Sequence, residues 1–439
     1  MALTDTSVDY DNYAEAMKIF YGNNIVETLN RKVVLYDMLK KSKKGWSGKD
    51  FRFPVHINSA NTVGARPHDG NLPDGGADIY LEAKVLAKYN YVRITAFNTV
   101  EAHSKSQAGA WAKTRAEQIK RRAKDLADSL NRQVHGDGTG VLCQVDSLSG
   151  AGSDGDPWVI ELVGQSGSFA TIDWAPETTK HLKKGMRVVW GNETEFLAGA
   201  GAGYGYVKAL GQADGTNKSS KFLLVSTAGT AIAADDFLVI GNNSTAGDHS
   251  YAGELTGLRA LVGTGTVQNI SDGAYVSTVK QNPDEAGELR ALTEDLMTQC
   301  VDDVDEETDS FADLISCHHS FRREYVRMLK AKNGEQFAPT KVKGGYDREY
   351  LSFAASGRNI PLVEDKDAEH YGALFLSKSE LEFLELSPFT WDSSSGGVWK
   401  WVSAKDQATG FGKIYTNMCI KNRKAAARLE DIAVTGVNR

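Results

Sequence analysis

The side chains with chemistry to offer are the pair His318-His319, an acidic run (Asp302, Asp303, Asp305, Glu306, Glu307, Asp309), four cysteines and two glycine-rich stretches. Each falls short of a working pattern. Neighbouring histidines do not share a metal as an i, i+4 pair on a helix does, and no H-E-x-x-H is present. The acidic run lacks the glycine and ligand spacing of a calcium loop, so it reads as a solvated helix end or as a charge partner for another subunit. Gly199-Ala200-Gly201-Ala202-Gly203-Tyr204-Gly205 contains no G-x-G-x-x-G, and its surroundings are strand and turn rather than strand–turn–helix. Gly164-Gln165-Ser166-Gly167-Ser168 misses the nucleophile elbow by one residue, and there is no G-x-x-x-x-G-K-[ST]. Cys143, Cys300, Cys317 and Cys419 are scattered with no C-x-x-C, as expected of reduced thiols from a cytosol-like compartment. The expectation is therefore no catalytic constellation, no cofactor and no metal.

With no site to organise the chain, its long elements must. Ser104 to Gly140 places Ala112, Ala116, Ile119, Ala123, Leu126, Leu130 and Val134 on one helical face, in steps of three and four. The opposite face carries Lys113, Lys120, Arg122 and Lys124. Ser104 and Gln107 have capping-box spacing and Gly136 stands where a helix stops. The pattern predicts a helix of roughly 25 to 31 residues, about 40 to 46 Å long.

Ahead of it, a shorter helix is predicted from Asn24 to about Lys41, with Ile25, Leu29, Val33 and Tyr36 buried. Lysines 40, 41, 43 and 44 close it before Gly45. Phe51, Phe53, Val55 and Ile57 then alternate, and a polar loop leads into a second extended run, Ile79 to Ile94. Together they predict a long hairpin. A lone two-stranded ribbon is marginal in water, so this one is expected to lie on another domain or another subunit.

After the long helix comes Gly136-Asp137-Gly138-Thr139-Gly140, and from about Asp146 the composition shifts. Seventeen of the 43 glycines fall between Gly150 and Gly253, interrupting short apolar bursts. That spacing of strands and turns predicts an inserted β-barrel or β-sandwich. Beyond Leu255-Thr256-Gly257-Leu258 an amphipathic helix, Leu289 to Val304, runs into the acidic block. A buried strand at Phe311 to Ser316, a helix at Ser320 to Lys330, an α/β stretch and a closing strand at Ile414 to Ile420 follow. The class is α+β.

The totals limit function. A chain of 439 residues has room for a large core, and a formal charge of -7 excludes gripping nucleic acid by bulk electrostatics. No secretory signal and no apolar run of membrane-spanning length is visible.

In order (arm, helix, hairpin, very long helix, G-D-G-T-G, L-T-G-L, helix, α/β stretch, closing strand), the chain resembles a tailed-bacteriophage major capsid protein of the Hong Kong 97 type. The resemblance implies that fold, with an N-terminal arm and helix (1–45), an E-loop hairpin (46–98) and a P domain with its spine helix (99–145). It continues with the β-rich insertion (146–253), more P domain (254–310), an A domain (311–397) and a returning strand and tail (398–439). It implies hexameric and pentameric capsomers closing an icosahedral head around double-stranded DNA, located in the virion and assembled in the bacterial host's cytoplasm. Implied partners are further copies of the chain, a portal protein at one vertex, packaged DNA held without sequence specificity and a decoration or cement protein, with no membrane. About fifty residues ahead of the hairpin are too few for a fused scaffolding domain, so a separate scaffolding protein is implied. Inter-subunit residues expected on the E-loop are Arg66, Asp69, Asp74, Lys84 and Lys88. The spine-helix face Lys113, Lys120, Arg122, Lys124 is expected against an acidic neighbour or DNA. The acidic partner is expected at Asp302, Asp303, Asp305 and Glu306. The founding member's lysine–asparagine cross-link is not carried over, because Lys405 to Lys413 contains no asparagine. Alternatives are an encapsulin-like compartment shell, or a β-rich hydrolase or carbohydrate-binding protein working through residues 146–253.

Overall fold

A computed structural model describes residues 33–434, except 40, 43–45, 47, 61, 72, 74, 98–113, 164–178, 200, 212–220, 242–244, 272, 284–287, 332–339, 343–347, 394–397 and 403–405. Among the described residues the α-helices are α1 (Leu35–Met38), α2 (Thr114–His135), α3 (Glu193–Leu197), α4 (Leu258–Leu261), α5 (Glu294–Glu307) and α6 (His319–Ala331). The chain divides into two units: residues 1–31, 91–126 and 391–412, and residues 32–90, 127–390 and 413–439.

In the first unit, Lys400 pairs antiparallel with Thr409 and Trp401 with Ala408. Lys400 Nζ forms an ion pair with Asp392 and lies 5.3 Å from the Phe411 ring centroid. Among the described residues the second unit holds several hydrophobic clusters, two of them large. One lies under a six-stranded sheet in the order Thr278–Lys280, Ala426–Leu429, Ala373–Leu376, Leu314–Cys317, Arg358–Glu364, Ser352–Ala355. Leu314–Cys317 runs parallel to Arg358–Glu364 and antiparallel to Ala373–Leu376. A strand buried on both faces reads as a continuous apolar run, and Leu314, Ile315 and Cys317 are 0% exposed. Helices α5 and α6 cover the sheet, contributing Met297, Cys300, Val301, Val304, Phe321 and Tyr325 to one cluster.

The second core is a closed barrel of Phe237–Ile240, Val141–Ser149, Trp158–Leu162, Lys221–Gly229, Gly203–Leu210 and Arg187–Gly191. Its first strand begins at Val141, immediately after the G-D-G-T-G turn and ahead of the change in composition at Asp146. Side chains fill it: Trp158 and Trp190 meet edge to face with centroids 5.5 Å apart, and Trp190 Nε1 donates to Thr230 O at 3.0 Å. The glycine run falls on this wall. A Cβ at Gly205 would stand 2.0 Å from Val225 O, and one at Gly203 2.6 Å from the Trp190 ring. Close packing, and not phosphate binding, therefore accounts for these two glycines.

The barrel's entry and exit adjoin. Ala252 N donates to Thr139 O at 2.8 Å, and Arg259 N to Gly136 O at 3.2 Å. The L-T-G-L turn so closes on the end of α2, as a domain spliced into an existing turn requires.

Several sequence expectations change: α5 begins at Glu294 behind its cap Thr293 rather than at Leu289, and the strand expected at Phe311–Ser316 is Leu314–Cys317, with Phe311 43% exposed. The helix placed at Asn24–Lys41 is described only from residue 33, and there it ends at Met38: Leu39 is extended and Lys41–Ser42 pairs parallel with Phe383–Leu384. The second run of the hairpin is two strands, Ile79–Leu86 and Lys88–Phe97, separated at Ala87.

Candidate assembly surfaces

The hairpin pairs Phe51 with Val85, Phe53 with Ala83 and Val55 with Leu81. Its base is docked on its own chain. Ala83 and Val55 pack with Ile270 and Tyr275, while Val85 packs with Leu384 and Cys419. Lys84 N donates to Gln268 O at 2.7 Å. Gln268 and Asn269, at φ 54° and 66°, form a two-residue turn between the bridged Val267 and Ile270, and the left-handed pair matches a type I′ turn. The distal part is different. Val63 is 89% exposed, Ile79 50% and Tyr80 61%. Of the two supports expected for the ribbon, another domain or another subunit, the base finds the first, on Ile270, Tyr275, Leu384 and Cys419 of its own chain, while Val63, Ile79 and Tyr80 stay exposed.

Arg66 and Asp69 lie on the exposed loop, where Arg66 Nε donates to Asn71 O at 3.2 Å; Asp74 lies outside the described residues. Lys84 Nζ pairs with Asp50 at 3.3 Å. Lys88 turns inward, donating to Ala252 O at 2.7 Å, and burial lowers its pKa. Both hairpin lysines thus have partners in their own chain.

On α2, Lys120, Arg122 and Lys124 are exposed, with Arg122 paired to Asp125 at 2.9 Å; Lys113 lies outside the described residues. Buried Leu126, Leu130 and Val134 mark the opposite stripe. In the acidic run, Asp303 meets Lys280 at 2.6 Å, Glu307 meets Lys424 at 3.0 Å and Asp305 lies 4.0 Å from Arg358. Asp302 and Glu306 remain exposed. The own-chain cations come from positions far along the sequence, which the local charge pattern does not reveal.

Sequence reasoning passed over a buried polar junction between the end of α2 and residues 365–370. Asn131 Nδ2 donates to both Asp365 oxygens at 2.9 and 3.0 Å and to Asp367 at 2.8 Å. Leu35 N donates to Asp365 at 3.2 Å, and His135 Nε2 lies 3.4 Å away. Burial opposes the charged form of Asp365, but the facing His135 and these hydrogen bonds prevail and hold its carboxyl well below the usual range. Lys366 and Lys183 clasp Asp128 at 2.6 and 2.8 Å, so α2, the 365–370 loop and the barrel meet at one carboxylate.

His318 stacks on His370 with centroids 3.9 Å apart. Ser320 N donates to His318 Nδ1 at 3.1 Å, which leaves that nitrogen unprotonated. Burial, then Lys180, His319 and Arg323, push His318 down to about 2, and burial and the same cations depress His370 further. Among the described residues no group of three or more His, Cys, Asp or Glu is arranged to hold a metal.

No family profile and no curated protein matches the chain. Solved structures do. The capsid asymmetric unit of cyanophage A-1(L) aligns over 97% of this chain and 99% of its own, with a TM-score of 0.55 at 11% identity. The capsid of the native GTA particle aligns over 98% and 100% with a TM-score of 0.48 at 10% identity. The holo-SrpI encapsulin complex from Synechococcus elongatus PCC 7942 aligns over 99% and 98%, with a TM-score of 0.47 at 10% identity. Hairpin, long helix, sheet-and-helix layer and full-length alignment to the cyanophage capsid subunit together identify this as a Hong Kong 97-type capsid fold, with a closed β-barrel inserted after the long helix.

Proposed function

We propose that this chain is the major capsid protein of a tailed phage, assembling into hexamers and pentamers that close an icosahedral head around double-stranded DNA. The observation that carries the reading is the alignment, end to end, with the cyanophage capsid subunit. The hairpin supports it: a ribbon anchored at its base and bare at its tip suits a shell, where a neighbouring copy supplies the missing surface. Many such contacts, each on the order of 1,600 Å², sum to a durable particle.

The remaining partners follow from the same reading. A portal occupies one vertex, a separate scaffolding protein guides closure, and the net charge of -7 suits a container that does not grip its DNA. A decoration protein is a further partner. The exposed Lys120, Arg122 and Lys124 face an acidic neighbour or packaged DNA. Reversing Lys120 and Arg122 to Glu separates the two: loss of shells marks a neighbour, and normal shells with poor packaging mark DNA.

Negative-stain microscopy and sedimentation of the purified protein test the proposal. Capsomers or megadalton particles support it; a discrete species near the 47.7 kDa of one chain contradicts it. Nuclease-resistant DNA inside the particle, rather than a protein cargo, separates a phage head from an encapsulin-like compartment.

A further inference from the structure

Two helices lie on the same sheet, feed one core, and carry opposite charge. Helix α5 packs on Ala426–Leu429 and Thr278–Lys280 at one end of the sheet order, and α6 packs on Arg358–Glu364 towards the other end. The sequence of α5, EDLMTQCVDDVDEE, has seven acids and no Lys or Arg. That of α6, HSFRREYVRMLKA, has four Lys or Arg and one acid.

The outward stripes preserve this asymmetry. Asp295, Asp302 and Glu306 are exposed along α5, and Arg323, Arg327 and Lys330 are exposed along α6. Both sets follow i, i+4 and i, i+7 spacing, which aligns side chains on one helical face. The flanks are neutralised within the chain, by Lys280 on Asp303, Lys424 on Glu307 and Glu364 on Arg322 at 3.0 Å. Asp295 accepts from Gln299 at 2.7 Å, a neutral donor that leaves its charge in place. Arg327 reaches Glu324 on its own helix at 2.7 Å, and exposed pairs of that kind contribute little.

A layer that is acidic on one helix and basic on the next repels itself in a two-fold pairing of like patches. It attracts head to tail, with α5 of one copy beside α6 of the next, and such contacts make a ring where the rotation from copy to copy closes. We propose that the acidic stripe of α5 docks against the basic stripe of α6 on an adjacent copy of this chain, fixing the direction in which subunits follow one another around a capsomer. Electrostatic matching of this kind sets register and rejects wrong partners. The pairing rests on the shell reading and makes α6, rather than the basic face of α2, the partner of the acidic run.

The test compares ring formation, by native mass spectrometry and sedimentation, for the full chain and three variants: D302K/E306K, R323E/R327E and the fourfold combination. The wild type is expected to form rings. Each two-site reversal should lower the ring fraction at least about tenfold, because like charges then face each other, while circular dichroism melting stays unchanged. The fourfold variant, with both signs exchanged, should recover rings to within about threefold of wild type. Unchanged rings in either two-site variant, or a fourfold variant as defective as its parents, would overturn the pairing. Should a two-site variant melt early, D302N/E306Q replaces it, with a smaller loss of rings expected and none contradicting the proposal. A wild-type protein that stays single-copy sinks the shell reading instead.

Discussion

The side chain of Asn417 donates to the backbone carbonyl of Leu86 at 2.7 Å and accepts from Thr256 N at 2.9 Å. One amide thereby ties the hairpin, the closing strand and the L-T-G-L turn. Replacing Asn417 by Ala leaves a carbonyl and an amide without their partner. The expected cost is about 1–3 kcal/mol, measured by urea unfolding. Hydrogen exchange at residues 83–86 should accelerate more than in the barrel; equal acceleration throughout would show that Asn417 is not a local clamp.

Acid should destabilise the folded chain through His318 and His370. Both are under 9% exposed, and both pKa values are pushed far below that of a free imidazole. Below about pH 6.5 the unfolded chain binds protons at these imidazoles that the folded chain refuses, so their contribution to stability is flat above that pH and falls beneath it. The slope is up to about 1.4 kcal/mol per pH unit for each imidazole. The depressed Asp365 adds a further loss only below about pH 4. Lys180, His319 and Arg323 reinforce the histidine effect and Asp365 opposes it. Stability measured between pH 7 and pH 5 should fall in the wild type and fall less in H318Q/H370Q; parallel curves would contradict the assignment.

Native thiols should be inert. All four cysteines are buried and free, and burial pushes the Cys300 thiol up to about 12 and those of Cys143 and Cys317 higher. Ellman's reagent should find none in native protein and four after guanidinium unfolding. Rapid labelling of the native chain would show that one of these sites opens.

Gly205→Ala should disturb the barrel wall. Its Cβ would meet the backbone carbonyl Val225 O at 2.0 Å, which no rotamer change relieves, so the strands must part. A loss of about 3 kcal/mol is expected, read from tryptophan fluorescence of Trp158 and Trp190. A neutral substitution would mean that the two strands are not paired as described.

Much of this was legible in local pattern. The stripe of Leu126, Leu130 and Val134 marked α2, and the glycine-punctuated strands marked a barrel, because both signals repeat within a few residues. Contacts between distant positions left no such trace. Ala83 and Val85 find Ile270, Tyr275 and Cys419 far along the chain, so the sequence left open whether the hairpin lies on another domain or on another subunit. Lys280 and Lys424 neutralise part of an acidic run that reads as uniformly charged. Asp365 is one carboxylate in an ordinary loop until folding brings Asn131 and His135 to it. The basic stripe of α6 was readable as a helix, but its meaning depends on α5 lying on the same sheet.

A cryo-electron microscopy map of the purified assembly is the most direct test of the shell proposal. It should show a closed shell in which the distal hairpin around Val63, Ile79 and Tyr80, exposed on a single subunit, lies against an adjoining copy. A discrete unassociated molecule, or a shell that leaves this segment in solvent, would contradict it.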